Sequence, residues 1–316
     1  MTARSLLDRA GTFLGLVAVA VFFGILLGPQ FFGPANLELM ARQTAIVAMA
    51  ALGMTVVIVA GGIDLSVGST IALGTVVIAL MLRGSATPVV AALGAVGAGA
   101  LCGLVNGALI TRLNVVPFIV TLGTLLVVRG VAKGLAEERR IEAPVTWLND
   151  LLRVPRGGAL LPSGLWLLIA LALIVAGVLK YTRFGRHIFA IGSNERMARL
   201  CGVAIDRTKI LVYTLAGAFA GLAGLLQFAK LSVGDPTVAV GLELDVIAAV
   251  IIGGGSLSGG RGTIAGTIIG ATIMTIIQIG CSQKGLANWV QQIVTGGIIV
   301  GAVALDRVRS AGMGTS

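Results

Sequence analysis

The chain has 316 residues, of which 57% are apolar and only 11% are charged, and its mean hydropathy is +1.02. Soluble domains carry roughly 25% charged residues and need polar groups to cover their surface, so a soluble enzyme, a secreted disulfide scaffold, a disordered tail and a nucleic-acid-binding domain are excluded. The composition is typical of an integral membrane protein. In a protein of this class a net charge of +10 is expected to report topology and not a nucleic-acid partner.

Ten long windows without Asp, Glu, Lys or Arg follow one another along the chain. A helix needs about 20 apolar residues to cross the hydrocarbon, and continuous apolar runs favour helices over a barrel. We therefore predict an all-α, polytopic integral membrane protein with about ten transmembrane helices in a single domain, residues 1–316. Windows 113–128 and 246–260 are short, so one of them could be a partial crossing. The windows are 10–37, 43–63, 65–82, 84–111, 113–128, 157–179, 210–229, 246–260, 262–283 and 285–305.

The first window follows two arginines and imitates the apolar core of a signal peptide. No small-residue cleavage site comes after it, because the chain continues Gly28-Pro29-Gln30-Phe31-Phe32. An uncleaved first span is the better interpretation.

Loop charge predicts the orientation. Segment 181–209 carries six basic residues against two acidic ones, whereas four arginines in 136–163 are balanced by four acids. Ten crossings with 181–209 in the cytoplasm and 136–163 in the periplasm satisfy the positive-inside rule. Both termini, each with two arginines, are then cytoplasmic.

A glycine-rich break with one charge, 61–69, separates the second and third windows. Intramembrane polar residues are costly and are therefore functional candidates. For Asp64 two compatible interpretations stay open, a carboxylate that accepts N–H groups at the start of the next helix, and a residue of a gate or pathway. The gate or path candidates are Gly61, Gly62, Asp64, Ser66, Gly68, Asn106, Glu243 and Asp245.

Further polar residues lie in or beside the spans. Asn106 and its counterparts Gln43, Thr121, Thr124 and Gln227 suit hydrogen bonds between helices, or the lining of a path for hydroxyl-bearing substrates. Glu243 and Asp245 begin a short apolar window, where acids suit the helix dipole, although a role in an outer vestibule stays open.

The second glycine-rich break spans 253–262 and shares a Gly-Gly and Leu-Ser pattern with the first. This is either a degenerate internal repeat or chance, and Arg261 within it is expected to be a cytoplasmic anchor. The candidate residues of this break are Gly254, Gly255, Ser258, Gly259 and Gly260.

Segment 181–209 is the most informative loop. Residues 194–201 are predicted to form a short helix ended by Gly202, which either lies on the lipid surface or docks a soluble motor. The candidate residues for contact with such a motor are Gly192, Asn194, Glu195, Ala198, Arg199 and Gly202.

The sequence lacks the signatures of stand-alone chemistry. There is no GxxxxGK[ST] phosphate loop, no ladder of buried acids and no filter-like motif, so energy is expected from a partner or a gradient. Three separated cysteines (Cys102, Cys201 and Cys281) and one histidine (His187) offer no disulfide or zinc pattern. We expect no catalytic residue and no metal.

These motifs resemble the permease subunits of bacterial ATP-binding-cassette sugar importers, the ribose-type branch. The resemblance covers about 36–308 and is carried by 53–69, 194–202, 241–250 and 253–262. It implies an inner-membrane subunit without a cofactor of its own, paired with an identical or different permease. A cytoplasmic ATPase that uses ATP and Mg would drive it, and a periplasmic sugar-binding protein would deliver the substrate.

The resemblance also implies a mechanism, alternating access in which a monosaccharide crosses when the ATPase moves the coupling loop. Segment 194–202 matches the family's ATPase-contact loop, although Arg196 and Met197 make its Glu-Ala-Ala core less regular. The nearest alternative is a branched-chain amino-acid permease, which Ile63-Asp64-Leu65-Ser66 argues against. A secondary transporter or channel would need its own ion or proton site, and the lack of buried titratable residues argues against it. A structural or receptor protein would need large extramembrane regions, whereas the longest one here is under thirty residues.

Overall fold

The computed structural model describes residues 3–154 and 161–311, with side chains for 11–154 and 161–304. The described residues are helical apart from the connecting segments and one two-stranded pair, which confirms the all-α prediction. The helices are α1 (Ala3–Leu27), α2 (Pro34–Val59), α3 (Val67–Arg83), α4 (Pro88–Leu113), α5 (Pro117–Leu135), α6 (Ser163–Tyr181), α7 (Arg183–Ser193), α8 (Glu195–Leu200), α9 (Ile205–Leu231), α10 (Leu242–Ile252), α11 (Ile264–Gln283) and α12 (Asn288–Ala311), and the strands are β1 (Ile141–Glu142) and β2 (Val233–Gly234).

Six of the described helices are long and apolar enough to cross a membrane: α2, α4, α5, α6, α9 and α11. Shorter apolar stretches lie in α1, α3 and α12. Most residues of α2 and α9 are buried inside the protein, whereas fewer than a third of those in α4, α5 and α6 are buried. Such exposure is stable in a lipid solvent, which is as apolar as the side chains themselves.

Close packing of α4 on α9 explains several of the many glycines. A Cβ on Gly103 would overlap the Tyr213 carbonyl oxygen, and Gly99 and Gly217 meet backbone to backbone in the same way. Small residues let helices approach closely where burial from water provides no drive. Gly97, in contrast, has open space around it and plays no part in this contact.

The two short windows have different outcomes. Helix α5 has 19 residues and continues past window 113–128 through Arg129 and Lys133. Helix α10 has only 11 residues, about 16 Å at the usual rise per residue, which is too short to cross about 30 Å of hydrocarbon.

The chain between α9 and α10 is not helical and runs beside α3. Gly234 lies against Ala79 and Val76, and Ala239 lies against Gly68 at the other end of α3. From Ala79 to Gly68 the segment follows α3 for about three helical turns. Helix α10 therefore begins level with the start of α3. We call residues 232–241 the extended segment.

Candidate functional site: two helix breaks joined to a basic helical segment

The first break holds a buried polar cluster between α2 and α3. Asp64 is 2% exposed, and its Oδ1 accepts hydrogen bonds from the Ser66 amide (2.8 Å) and the Ser66 hydroxyl (2.6 Å). Asn106 of α4 donates from Nδ2 to the same hydroxyl oxygen over 2.9 Å. Ser66 therefore links Asp64 to Asn106, which lies 40 residues further along the chain.

The unwound backbone of this break is satisfied by other helices. The Ile63 carbonyl accepts from Thr121 Oγ1 of α5 (3.3 Å) and from the Tyr213 hydroxyl of α9 (3.4 Å). Tyr213 is also close enough that a Cβ on Gly62 would overlap its hydroxyl. Non-helical backbone inside a membrane protein requires such partners, because hydrocarbon supplies none.

The carboxylate of Asp64 is placed to act as a hydrogen-bond acceptor, so Asp64→Asn is expected to keep the cluster stable. Asp64→Asn keeps an acceptor oxygen for Ser66, whereas Asp64→Ala leaves a buried amide and hydroxyl without one, at a cost of about 1–3 kcal/mol. We expect a melting temperature near that of the parent for Asp64→Asn and a marked loss of stability for Asp64→Ala, measured by thermal unfolding in detergent. Equal destabilisation by the two variants would show that the negative charge itself is needed and that the acceptor role is wrong.

The second break is a chain of tight turns between α10 and α11. Gly254, Gly259 and Gly260 have φ of +91°, +84° and +71°, a region that side-chain-bearing residues rarely adopt. Ser256 accepts at its carbonyl from the Gly259 amide (2.9 Å) and donates its own amide to the Arg261 carbonyl (3.2 Å). Hydrogen bonds between its own backbone groups therefore give this break a defined conformation.

The two breaks touch each other directly. The Gly260 amide donates to the Val59 carbonyl, the last of α2, over 2.9 Å. Thr55 of α2 and Thr267 of α11 also share a hydrogen bond of 2.7 Å. The C-terminal ends of α2 and α10 and the start of α11 therefore form one connected unit.

The end of α7 is wedged into the contact between the two breaks. A Cβ on Gly192 would overlap the Val59 carbonyl oxygen and lie 2.5 Å from the Gly260 amide nitrogen. The Gly192 Cα lies 3.7 Å from where a Gly61 Cβ would stand. We call the meeting point of Val59, Gly192 and Gly260 the glycine junction, because only a residue without a side chain fits between the other two.

The basic segment consists of two helices where sequence reasoning predicted one. Helix α8 was predicted; its N-terminus is capped by Asn194, whose Oδ1 accepts from the Met197 amide (3.0 Å), and it ends before Gly202 at φ +81°. Helix α7 was missed, although its apolar positions recur with helical spacing and bury Ile188 and Ile191.

Ion pairs and an apolar contact hold α8 in place. The Glu195 carboxylate pairs with Lys209 of α9 at 2.8 Å and with Arg199 at 3.6 Å. Ala198 packs with Ile191 of α7 and Ile205 of α9. Helix α8 is therefore joined both to α7, which enters the glycine junction, and to α9.

The candidates Glu243 and Asp245 lie in the first turn of α10. Asp245 is 9% exposed and accepts at Oδ2 from Gln278 Nε2 of α11 (2.6 Å), while Glu243 Oε1 accepts from the Gly241 amide (3.2 Å). Glu243 also approaches α3 so closely that a Cβ on Gly68 would overlap its carboxylate. These acids are thus placed by α3 and α11 at the start of α10.

The structure brings some sequence candidates together and leaves others apart. Asp64, Ser66 and Asn106 form one cluster, and Gly192, Gly259 and Gly260 meet in and around the junction. Glu243 and Asp245 form a second group at the start of α10, where Glu243 lies against Gly68 of α3. Sequence reasoning missed Tyr213 and Arg129, whose types are common at helix ends and interfaces and whose partners lie more than 100 residues away.

Residues 36–303 match a family model described as "Branched-chain amino acid transport system / permease component". The chain belongs to this permease family. It is a multi-pass inner membrane protein, in agreement with its six long apolar helices.

Curated relatives cover nearly the whole chain. The ribose import permease of Escherichia coli K12 is 39% identical over 92% of both chains, and that of Bacillus subtilis 168 is 39% identical over 96% of this chain and 94% of its own. The fructose import permease of Rhizobium meliloti is 33% identical over 92% and 83%. No solved structure matches the chain significantly. Within the family these relatives are sugar permeases, so the amino-acid alternative is not favoured.

Proposed function

We propose that the chain is the membrane-spanning permease subunit of an importer driven by a partner ATPase, and that it moves a monosaccharide from a periplasmic binding protein into the cytoplasm. The names of its relatives support the sugar class. The observation that carries the mechanism is the glycine junction, which joins the basic segment on one side to both helix breaks on the other.

The topology that supports this function has ten crossings and cytoplasmic termini. Helix α10 and the part of the extended segment beside α3 each cover about 16 Å, so together they match a hydrocarbon thickness of about 30 Å. We propose that they form the eighth crossing in two parts. Segment 181–209 is then the cytoplasmic coupling loop and 136–163 a periplasmic loop, of which 155–160 lie outside the described residues.

Helix α8 offers a surface suited to the ATPase. Met197 and Leu200 are 54% and 82% exposed although they are apolar, and arginines 196 and 199 flank them. Apolar groups with a basic rim are typical of a protein interface. The ATPase would hold ATP and Mg and perform the hydrolysis, and this chain would contribute no cofactor or catalytic group.

The proposed movement begins at α8 and α7. A displacement of this helix pair acts on Val59 and Gly260 at the glycine junction, because Gly192 has no free space in which to absorb it. The ends of α2 and α10 then move together, which alters access at the inner side. The path lies at the interface with a second permease subunit, identical or different, and need hold the sugar only weakly.

The test of this function is substrate uptake by cells or vesicles that contain the chain with its ATPase and binding protein. We expect accumulation of one or more labelled sugars from a panel of ribose, arabinose, xylose, fructose and galactose, with no accumulation of labelled leucine. The same binding protein titrated by calorimetry should bind the transported sugar. Leucine uptake without sugar uptake would overturn the sugar assignment and restore the amino-acid alternative.

A further inference from the structure

The extended segment is held to the rest of the protein by an arginine on α5. Arg129 donates from one guanidinium nitrogen to the Pro236 carbonyl (3.0 Å) and the Val238 carbonyl (2.7 Å). These two carbonyls belong to backbone that is neither helix nor strand, so they have no partners within regular structure. A charged donor to a backbone carbonyl is stronger than a neutral one.

Acidic residues flank the carbonyls that the guanidinium binds. Asp235 directly precedes Pro236, and Glu243 follows in the first turn of α10. Asp235 itself pairs with Arg140 at 2.9 Å and accepts from the Thr237 amide and hydroxyl at 2.8 and 2.6 Å. Arg129 therefore ties α5 to the extended segment.

The extended segment is bent tightly where it joins α10. Ala239 has φ +59° and Gly241 has φ +84°, so two of three successive residues are left-handed. For alanine this conformation costs free energy and persists only when the surroundings impose it. Arg129 supplies such a constraint, because its contacts end one residue before Ala239.

Behind the segment lies a fully buried face of α3. Thr75 exchanges hydrogen bonds with the Asp235 backbone (3.1 and 3.3 Å), and the Ala79 side chain, which is 0% exposed, faces Gly234. On the other side the segment exposes Thr237 and Val240. The extended segment thus separates the buried face of α3 from the solvent or lipid outside the protein.

We propose that Arg129 is a positioning residue that latches the extended segment against α3, and that release of this latch is the step that opens the outer side of the translocation path. The proposal rests on the proposed transport function. When the hydrogen bonds from Arg129 to Pro236 and Val238 break, the strained turn at Ala239 is no longer held in place, and the segment moves away from α3.

The experiment measures access to the covered face of α3 in the full transporter. Ala79→Cys is introduced after the three native cysteines have been replaced, and right-side-out vesicles are treated with a membrane-impermeant maleimide. Arg129→Ala should label about tenfold faster than the parent, and Arg129→Lys, which keeps the charge without the guanidinium fork, should be intermediate. Lys133→Ala, one turn further along α5, is the matched control and should label as slowly as the parent.

Transport provides a second readout. With assembly unchanged on gel filtration, we expect Arg129→Ala to move fewer sugar molecules per ATP hydrolysed, and Lys133→Ala to keep the parental ratio. Equal labelling rates in the parent, Arg129→Ala and Arg129→Lys would overturn the latch, even if uptake fell. Faster labelling in a chain that transports no sugar would support the latch while contradicting the proposed function. If Arg129→Ala does not assemble, Arg129→Lys decides the matter.

Discussion

Replacement of Gly192 with alanine is expected to reduce uptake about tenfold or more, because overpacking at a rigid site costs about 1–3 kcal/mol or more. The added methyl group would overlap the Val59 carbonyl oxygen and crowd the Gly260 amide, both of which are backbone and cannot rotate away. The hydrogen bond between Gly260 and Val59 would have to lengthen. Uptake by vesicles with matched amounts of transporter measures the effect.

Gly177→Ala is the matched control for this substitution. Gly177 lies inside α6 with open space where its Cβ would stand, so the same chemical change should leave uptake near the parental rate. ATP hydrolysis by the assembled Gly192→Ala transporter should continue while transport falls, since the ATPase contact on α8 is untouched. Parental uptake in Gly192→Ala would show that the glycine junction does not transmit movement.

Replacement of Leu200 with aspartate is expected to abolish association with the ATPase while the chain still folds. Leu200 is 82% exposed, so a carboxylate there costs little in the free subunit. In a docked interface it would be an unpaired charge among apolar contacts, which costs several kcal/mol. Co-purification of the ATPase from detergent measures the effect, and uptake should be lost with it.

Two further variants separate docking from folding of α8. Ala198→Asp places a charge in the contact with Ile191 and Ile205, so this variant should lose stability as well as ATPase binding. Val145→Asp, an equally exposed apolar position at 82% in the opposite loop, should retain both. If Leu200→Asp binds the ATPase as well as Val145→Asp does, α8 is not the docking surface.

Charge-free windows predict where helices lie, but they misjudge the helices that carry paired charges. Window 113–128 ended at Arg129, yet α5 continues because the extended segment supplies two carbonyls for that guanidinium. The partners lie more than 100 residues later, and no local pattern announces them. Conversely, window 246–260 combined α10 with a glycine-rich turn, since glycine and isoleucine are equally free of charge.

The candidate site was predictable in its members more than in its arrangement. The cost of polar groups in a membrane singled out Asp64, Ser66 and Asn106, and the structure connects them. Gly192 was singled out as part of a loop, whereas its close approach to Val59 and Gly260 depends on how α7 packs. Helix α7 is not evident from the sequence because Arg183 and Arg186 stand between its apolar positions.

The central claim, that this chain couples a partner's ATP hydrolysis to sugar movement, is tested most directly in proteoliposomes that contain the chain, its ATPase and external binding protein. We predict that sugar accumulates only when ATP and Mg are enclosed with the ATPase, and that an imposed proton or sodium gradient without ATP moves none. Gradient-driven accumulation by the chain in the absence of the ATPase would contradict the account and identify a secondary transporter.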